Sequence, residues 1–274
     1  MSTQDFSRLS QFIYVQYGIK MSPLKKTMLE GRLQKRLSVL NLASYRHYCD
    51  YLFSAEGQAR ELIPLINTVT TNKTDFFREA THFDFLTNHV LPEFDSAART
   101  NGNPLRVWSA GCSTGEEPYT LAMVMNEFAA TRSPSLSYLI TGTDLSTRVL
   151  QHAANAVYAE ERTAAIPLIL KRKYFLRSKD ADQQTVRIVP ELRRRVTFQS
   201  LNFMDHHYEV PGSFDVVFCR NVLIYFDRPT QEKVINRLCA KLKPGGYFFL
   251  GHSESVTDMQ VPIQQIRPTI FRKV

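Results

Sequence analysis

Near Pro104 the hydrophobic pattern of this chain changes period, and that change narrows the folds open to it. Before it, apolar residues recur at helical spacing; after it, short apolar runs alternate with amphipathic stretches. Alternation of that kind builds βα units and a doubly wound, mostly parallel sheet. The expected class is therefore α/β: a Rossmann-like domain over residues 104–274, preceded by an all-α domain over 1–80 and a linker helix over 81–103.

In the first part, residues 6–17 read as a helix stopped by Gly18. Ser22-Pro23 opens the next, about 24–40, because serine caps free N–H groups and proline suits a first turn. That helix carries Leu29, Leu33, Leu37 and Leu40 on one stripe, with Lys25, Arg32 and Arg36 on a neighbouring one. Further helices are expected at about 44–53, 58–69 and 81–94. In the second part, strands are expected at 105–109, 136–143, 196–202, 214–219 and 247–250, with helices at about 118–128 and 230–242. The tail at 263–272 has room for one or two more strands. Residues 214–219 are apolar almost throughout, as suits a strand buried on both faces. Residues 171–195 break the rhythm: short strands at 173–177 and 185–189 flank a polar turn, which predicts an antiparallel β insertion.

Charge is unevenly placed. The net charge is +8, yet residues 171–195 alone hold nine Lys/Arg against three Asp/Glu, and residues 22–46 hold six against one. Two basic patches on a mildly acidic body point to acidic partners at particular places: nucleic acid, an acidic protein surface or anionic lipid. No apolar run approaches the roughly 18 residues of a membrane span, and the first residues lack a signal-peptide pattern. The four cysteines have no paired spacing, which favours buried thiols in a reducing cytoplasm. The seven histidines, His206-His207 included, show no metal-ligand spacing, so no metal is expected.

The segment SAGCSTGEEPYTLAM, residues 109–123, follows a strand and opens a helix. Gly111 and Gly115 allow a sharp turn with close backbone approach to a ligand. The dinucleotide fingerprint G-x-G-x-x-G is absent, and so is a P-loop. Glu116 and Glu117 at the helix start would repel phosphate but pair with a cation; equally, they complement the helix dipole. Asp144, just past the second strand, suits either ribose hydroxyls or a helix N-cap. A cationic, phosphate-free nucleoside such as S-adenosylmethionine satisfies these features together.

That segment, with TTNKTDFFRE (70–79), FCRNVLIYFD (218–227) and LKPGGYFFLGHSES (242–255), resembles the CheR chemotaxis receptor methyltransferase family along nearly the whole chain. The resemblance implies a protein-glutamate O-methyltransferase that uses S-adenosylmethionine, releases S-adenosylhomocysteine, and modifies the cytoplasmic domain of methyl-accepting chemotaxis receptors. It implies a pocket lined by Asn72, Thr74, Arg78, Gly111, Glu116, Asp144, Asn202, Phe203, Arg220 and Asn221, with Arg78 and Tyr225 nearest the reacting groups. It also implies a monomer that neither binds nucleic acid nor inserts into membrane. The stripe of Lys25, Arg32 and Arg36 becomes a candidate docking face for a glutamate-rich receptor helix; the alternative is a solvated surface. The β insertion is either a strand-addition site for a receptor C-terminal peptide or a plain packing element, and its turn SKDADQQ lacks the glycine expected of tethering members.

Two other readings compete. A nucleic-acid amino-methyltransferase would carry Asn/Asp-Pro-Pro-aromatic where this chain has Cys219-Arg220-Asn221-Val222. A non-catalytic S-adenosylmethionine-binding adaptor would tolerate decay of site motifs that are intact here.

Overall fold

The computed structural model describes residues 1–95, 103–134, 136–180 and 182–274. The N-terminal helices are α1 (Thr3–Tyr17), α2 (Lys26–Val39, led by a 3₁₀ turn Pro23–Lys25), α3 (Tyr45–Leu52), α4 (Ala55–Arg60) and α5 (Leu62–Val69). Serine starts three of them: Ser2, Ser44 and Ser54 each accept the backbone N–H three residues on. Gly18, left-handed, ends α1. Leu29, Leu33 and Leu37 of α2 bury against Leu9, Ile13, Leu52 and Leu65. Each such leucine contributes about 1.5–3 kcal/mol.

α6 (Thr81–Phe85) runs into a π-helical turn, Leu86–Val90. The expected linker helix over 81–103 extends onto residues 96–102, which lie outside the described residues.

Next come β1 (Leu105–Ala110), α7 (Glu116–Arg132), β2 (Tyr138–Asp144) and α8 (Thr147–Asn155). The insertion follows: β3 (Val157–Ala159), α9 (Leu168–Tyr174), β4 (Phe175–Arg177) and β5 (Thr185–Ile188). The chain closes with α10 (Pro190–Arg193), β6 (Val196–Ser200), β7 (Phe214–Cys219), α11 (Arg228–Lys241), β8 (Leu242–Leu250), β9 (Ile263–Arg267) and β10 (Ile270–Lys273). The main sheet has the order β6-β2-β1-β7-β8-β10-β9, parallel from β6 to β8 and antiparallel beyond. Residues of one strand divide between two cores: Val107 packs with α7 residues Leu121 and Met125, whereas Trp108 packs with α11 residues Val234 and Leu238. Such period-two division is what helices on both faces require.

The insertion differs from its expected two strands. It is a three-stranded antiparallel sheet, β3-β5-β4, whose edge strand β3 lies earlier than residue 171. Lys173 and Tyr174, expected in a strand, finish α9 instead.

Successive strands leave β1 in opposite directions, β2 on one side and β7 on the other. In an open α/β sheet the crevice beyond the strand C-termini at such a reversal is where ligands bind. The helical domain covers that crevice. Tyr14 donates to Asp227 Oδ2 at 2.6 Å, Lys20 N to Tyr225 O at 3.0 Å, and Asn202 Nδ2 to Gln16 O at 2.9 Å.

Candidate active site

One cavity opens at the reversal, walled by several separate chain segments. The turn after β1 supplies Gly111, Cys112 and Ser113; α7 supplies Glu117; β2 ends in Asp144; the loop after β7 brings Arg220, Asn221 and Tyr225; residues 69–75 and Arg78 close one side. Lys25, Met21 and Met28 of the helical domain stand at the same cavity. Gly111 has φ +83, and a Cβ there would lie 2.3 Å from Val222 Cγ2, so only glycine lets this turn pass the loop that follows β7.

Asp144 is held by the backbone. Its Oδ2 accepts from Ser113 N and its Oδ1 from Ser146 N, each at 2.9 Å. Ser146, not Asp144, caps α8, which removes the N-cap reading. Burial raises the Asp144 pKa although these amides oppose it. A half-buried carboxylate at a strand end is suited to receiving hydroxyl donors from a ligand.

Of the paired carboxylates, it is Glu117 that faces the cavity. Its Oε1 accepts from Ser109 Oγ at 2.6 Å, and its Oε2 pairs with Arg220 Nη1 at 3.0 Å. Glu116, expected in the pocket, lies outside its lining. It turns to Thr114 Oγ1 (2.6 Å) and Arg162 Nη2 (2.9 Å). Neighbouring helical positions point about 100° apart, so both side chains cannot face one cavity.

Arg220 is buried, 6 % exposed, and spans Glu117 and Glu79, whose Oε2 it meets at 3.1 Å; it also donates to Arg78 O. Glu254 is a residue that the sequence analysis missed. Its Oε1 accepts from the backbone N–H of Val222 (2.9 Å) and Leu223 (2.8 Å), and its Oε2 from Asn221 (2.9 Å) and Gly251 (2.7 Å). One side chain thereby ties the loop after β7 to the end of β8 and holds Asn221 at φ +60.

Asn72, Thr74, Arg78, Gly111, Asp144, Asn202, Phe203, Arg220, Asn221 and Tyr225 all border the cavity. Arg78 donates to Lys73 O at 3.1 Å, and the Tyr225 hydroxyl to Thr71 O at 3.3 Å, a long bond that leaves it available to another acceptor. Burial raises the Tyr225 pKa, which keeps the hydroxyl protonated.

The cationic stripe on α2 divides. Arg36 forms a two-pronged pair with Glu61 at 2.8 and 2.6 Å, where Glu61 also accepts from Tyr48; Arg32 donates to Val69 O, Thr70 O and Thr71 Oγ1. Arg36 thus braces the helical domain internally, and Arg32 ties α2 to the cavity wall at residues 69–71. Lys25 alone of the three borders the cavity. All four cysteines are buried and free, and burial raises the Cys219 pKa well above its ordinary value, so Cys219 is no nucleophile.

The all-alpha domain of the CheR methyltransferase family matches residues 4–70, and the SAM binding domain of the same family matches residues 72–271. The chain belongs to the CheR methyltransferase family. It is 36 % identical over 274 residues to a chemotaxis protein methyltransferase of Borreliella burgdorferi, covering all of this chain and 95 % of that protein. It is 39 % identical to one from Klebsiella aerogenes (94 % of this chain, 86 % of that one) and 38 % identical to one from Escherichia coli (95 % and 87 %). The CheR chain is thus an S-adenosylmethionine-dependent methyltransferase. A site with three carboxylates, Asp75, Glu117 and Asp144, no phosphate-gripping loop and a polar asparagine rim fits a cationic nucleoside. Among the described residues, no helix is long and apolar enough to cross a membrane.

Proposed function

We propose that the protein transfers methyl groups from S-adenosylmethionine to glutamate side chains in the cytoplasmic domain of methyl-accepting chemotaxis receptors, in sensory adaptation. The observation that carries the reading is the convergence of Asp144, Glu117, Arg78 and Tyr225, from separate segments, on one cavity of a CheR chain. Asp144 would receive ribose hydroxyls, and Glu117 with Asn72, Thr74, Asn202, Phe203 and Asn221 would hold the remainder of the cofactor. Bound S-adenosylmethionine supplies an electrophilic methyl on a cationic sulfur.

The incoming glutamate, with an ordinary pKa of about 4.3, is already ionised at neutral pH, so no general base is required. What the protein must do is exclude water and aim one carboxylate oxygen. Charge is lost as the ester forms, so a strong cationic hole would stabilise the starting state more than the transition state. A neutral hydroxyl at Tyr225 is the fitting orienting donor, and Arg78 steers the anion or orders the cofactor. The Tyr225→Phe variant should lose turnover on the order of tenfold, the worth of one oriented hydrogen bond, with cofactor affinity unchanged. Wild-type turnover would remove Tyr225 from this role.

Lys25, in the 3₁₀ turn that leads into α2, stands at the cavity and is the docking residue retained from the basic stripe. Lys25→Glu should raise KM for receptor roughly tenfold, a 1.4 kcal/mol penalty, and leave cofactor affinity intact; an unchanged KM sinks the assignment. In the insertion, β3 and β4 are the edge strands at which a receptor C-terminal peptide would add. The glycine-free turn gives that contact no required part in the proposal. The decisive experiment incubates the protein with methyl-labelled S-adenosylmethionine and receptor-containing membranes, then applies mild base. Base-labile label released from a receptor as methanol is expected; label on added RNA or DNA instead would overturn the reading.

A further inference from the structure

Behind the cavity wall, Glu79, His82 and His252 meet although 173 residues separate the first from the last. One ligand atom from each lies within 4.8 Å of the other two. Glu79 Oε2 is 3.6 Å from His82 Nδ1 and 4.0 Å from His252 Nε2.

The tautomer of His82 follows from its neighbours. The Thr269 hydroxyl spends its one hydrogen on Pro268 O, at 2.7 Å. With that hydrogen on Pro268 O, its oxygen, 2.8 Å from His82 Nε2, accepts from the ring, the arrangement in which Nδ1 is the unprotonated nitrogen. Nδ1 is left with a lone pair and no hydrogen-bond partner, in a residue 1 % exposed. A buried lone pair facing a carboxylate oxygen is repulsive, and a cation between them reverses the sign.

We propose that Glu79 Oε2, His82 Nδ1 and His252 Nε2 bind a divalent transition-metal ion of the zinc class. Two imidazole nitrogens and one carboxylate are a zinc ligand set with a fourth position open. Thr269 on the far nitrogen of His82 is the outer hydrogen bond that orients such a ligand. Bonds of roughly 2.0–2.2 Å bring ligand atoms to about 3.3 Å apart. The Glu79–His82 gap is near that already, and the half-exposed His252 side chain can swing in. Arg220, 3.1 Å from the same Glu79 oxygen, opposes a second cation and keeps the affinity below that of a structural zinc site. The inference does not depend on the methyl-transfer reading.

Tag-free protein titrated with Co²⁺ gives the test, with visible ligand-field absorption as readout. The expected result is one saturable equivalent that Zn²⁺ displaces. His252→Ala should weaken it roughly thirtyfold or more, by loss of one of three ligands, and the control His206→Ala/His207→Ala should bind as wild type. Because His252 is exposed, its replacement spares the core. No saturable absorption in the wild type overturns the proposal, as does wild-type affinity in His252→Ala or loss of binding in the control alone.

Discussion

Replacing Arg220 by methionine should destabilise the fold by about 3–5 kcal/mol, the range for removing one partner of a buried ionic network. Methionine fills similar space but leaves Glu79 and Glu117, whose side chains are only 12 % and 14 % exposed, facing each other without a counter-charge. The melting temperature should fall by roughly 10 °C. The pH dependence has a definite sign. Burial alone would raise the Glu79 pKa, but Arg220 and the bonds from Asn221 and His252 outweigh it and hold it below the ordinary value. A carboxylate with a depressed folded-state pKa stabilises the protein above its unfolded pKa of about 4.3, and that contribution fades as pH falls through the folded value. In the variant Glu79 loses the charge that holds its pKa down, so the gap between wild type and variant should narrow on acidification. Adding Glu79→Gln to Arg220→Met should recover part of the loss at neutral pH. A variant that melts with the wild type at pH 7 would show that Arg220 is not the keystone of this wall.

Arg220 also marks the boundary of what the chain discloses before folding. Strand β7 is legible residue for residue, because a strand buried on both faces must be apolar throughout, and residues 214–219 are. The α2 leucine stripe is legible for the same kind of reason: a buried face imposes its period. Strand β3 was not, since three residues after left-handed Ala156 are too few to show any period. Periodicity also fixes a helix more firmly than its phase. The pair Glu116-Glu117 was recognisable as a site motif, but which of the two faces the ligand depends on a rotation that only packing sets. Polar partners were the least legible. Arg36 looks like a surface cation until Glu61 is brought to it across 25 residues, and Glu254 looks like a loop carboxylate until the loop after β7 folds onto it. The only signal for Glu254 was its place in the segment LKPGGYFFLGHSES, which does not state that four amides converge there. The Glu79–His82–His252 cluster had no sequence signature, because its members belong to the start of one domain and the end of its last parallel strand.

Asp144→Ala should weaken S-adenosylhomocysteine binding about 100-fold, or roughly 2.7 kcal/mol, which is what losing one or two hydrogen bonds to a charged acceptor is worth. The variant also deprives Ser113 N and Ser146 N of their acceptor. That part is separable: Asp144→Asn keeps the shape and one carbonyl acceptor, and should fall between the two, near tenfold. Calorimetry with S-adenosylhomocysteine measures both, and the melting temperature of ligand-free protein reports the backbone contribution alone. The carboxylate also predicts how binding responds to pH. Because burial raises the Asp144 pKa, protonation begins at a higher pH than for an exposed aspartate, whose value is about 3.9. Ligand hydroxyls prefer the ionised form, so affinity should decline as pH falls into the acid range, and the decline should vanish in Asp144→Asn. Equal affinities in all three proteins would transfer recognition of the ribose to another part of the cavity. A persistent pH dependence in Asp144→Asn would place the titrating group elsewhere in the cavity.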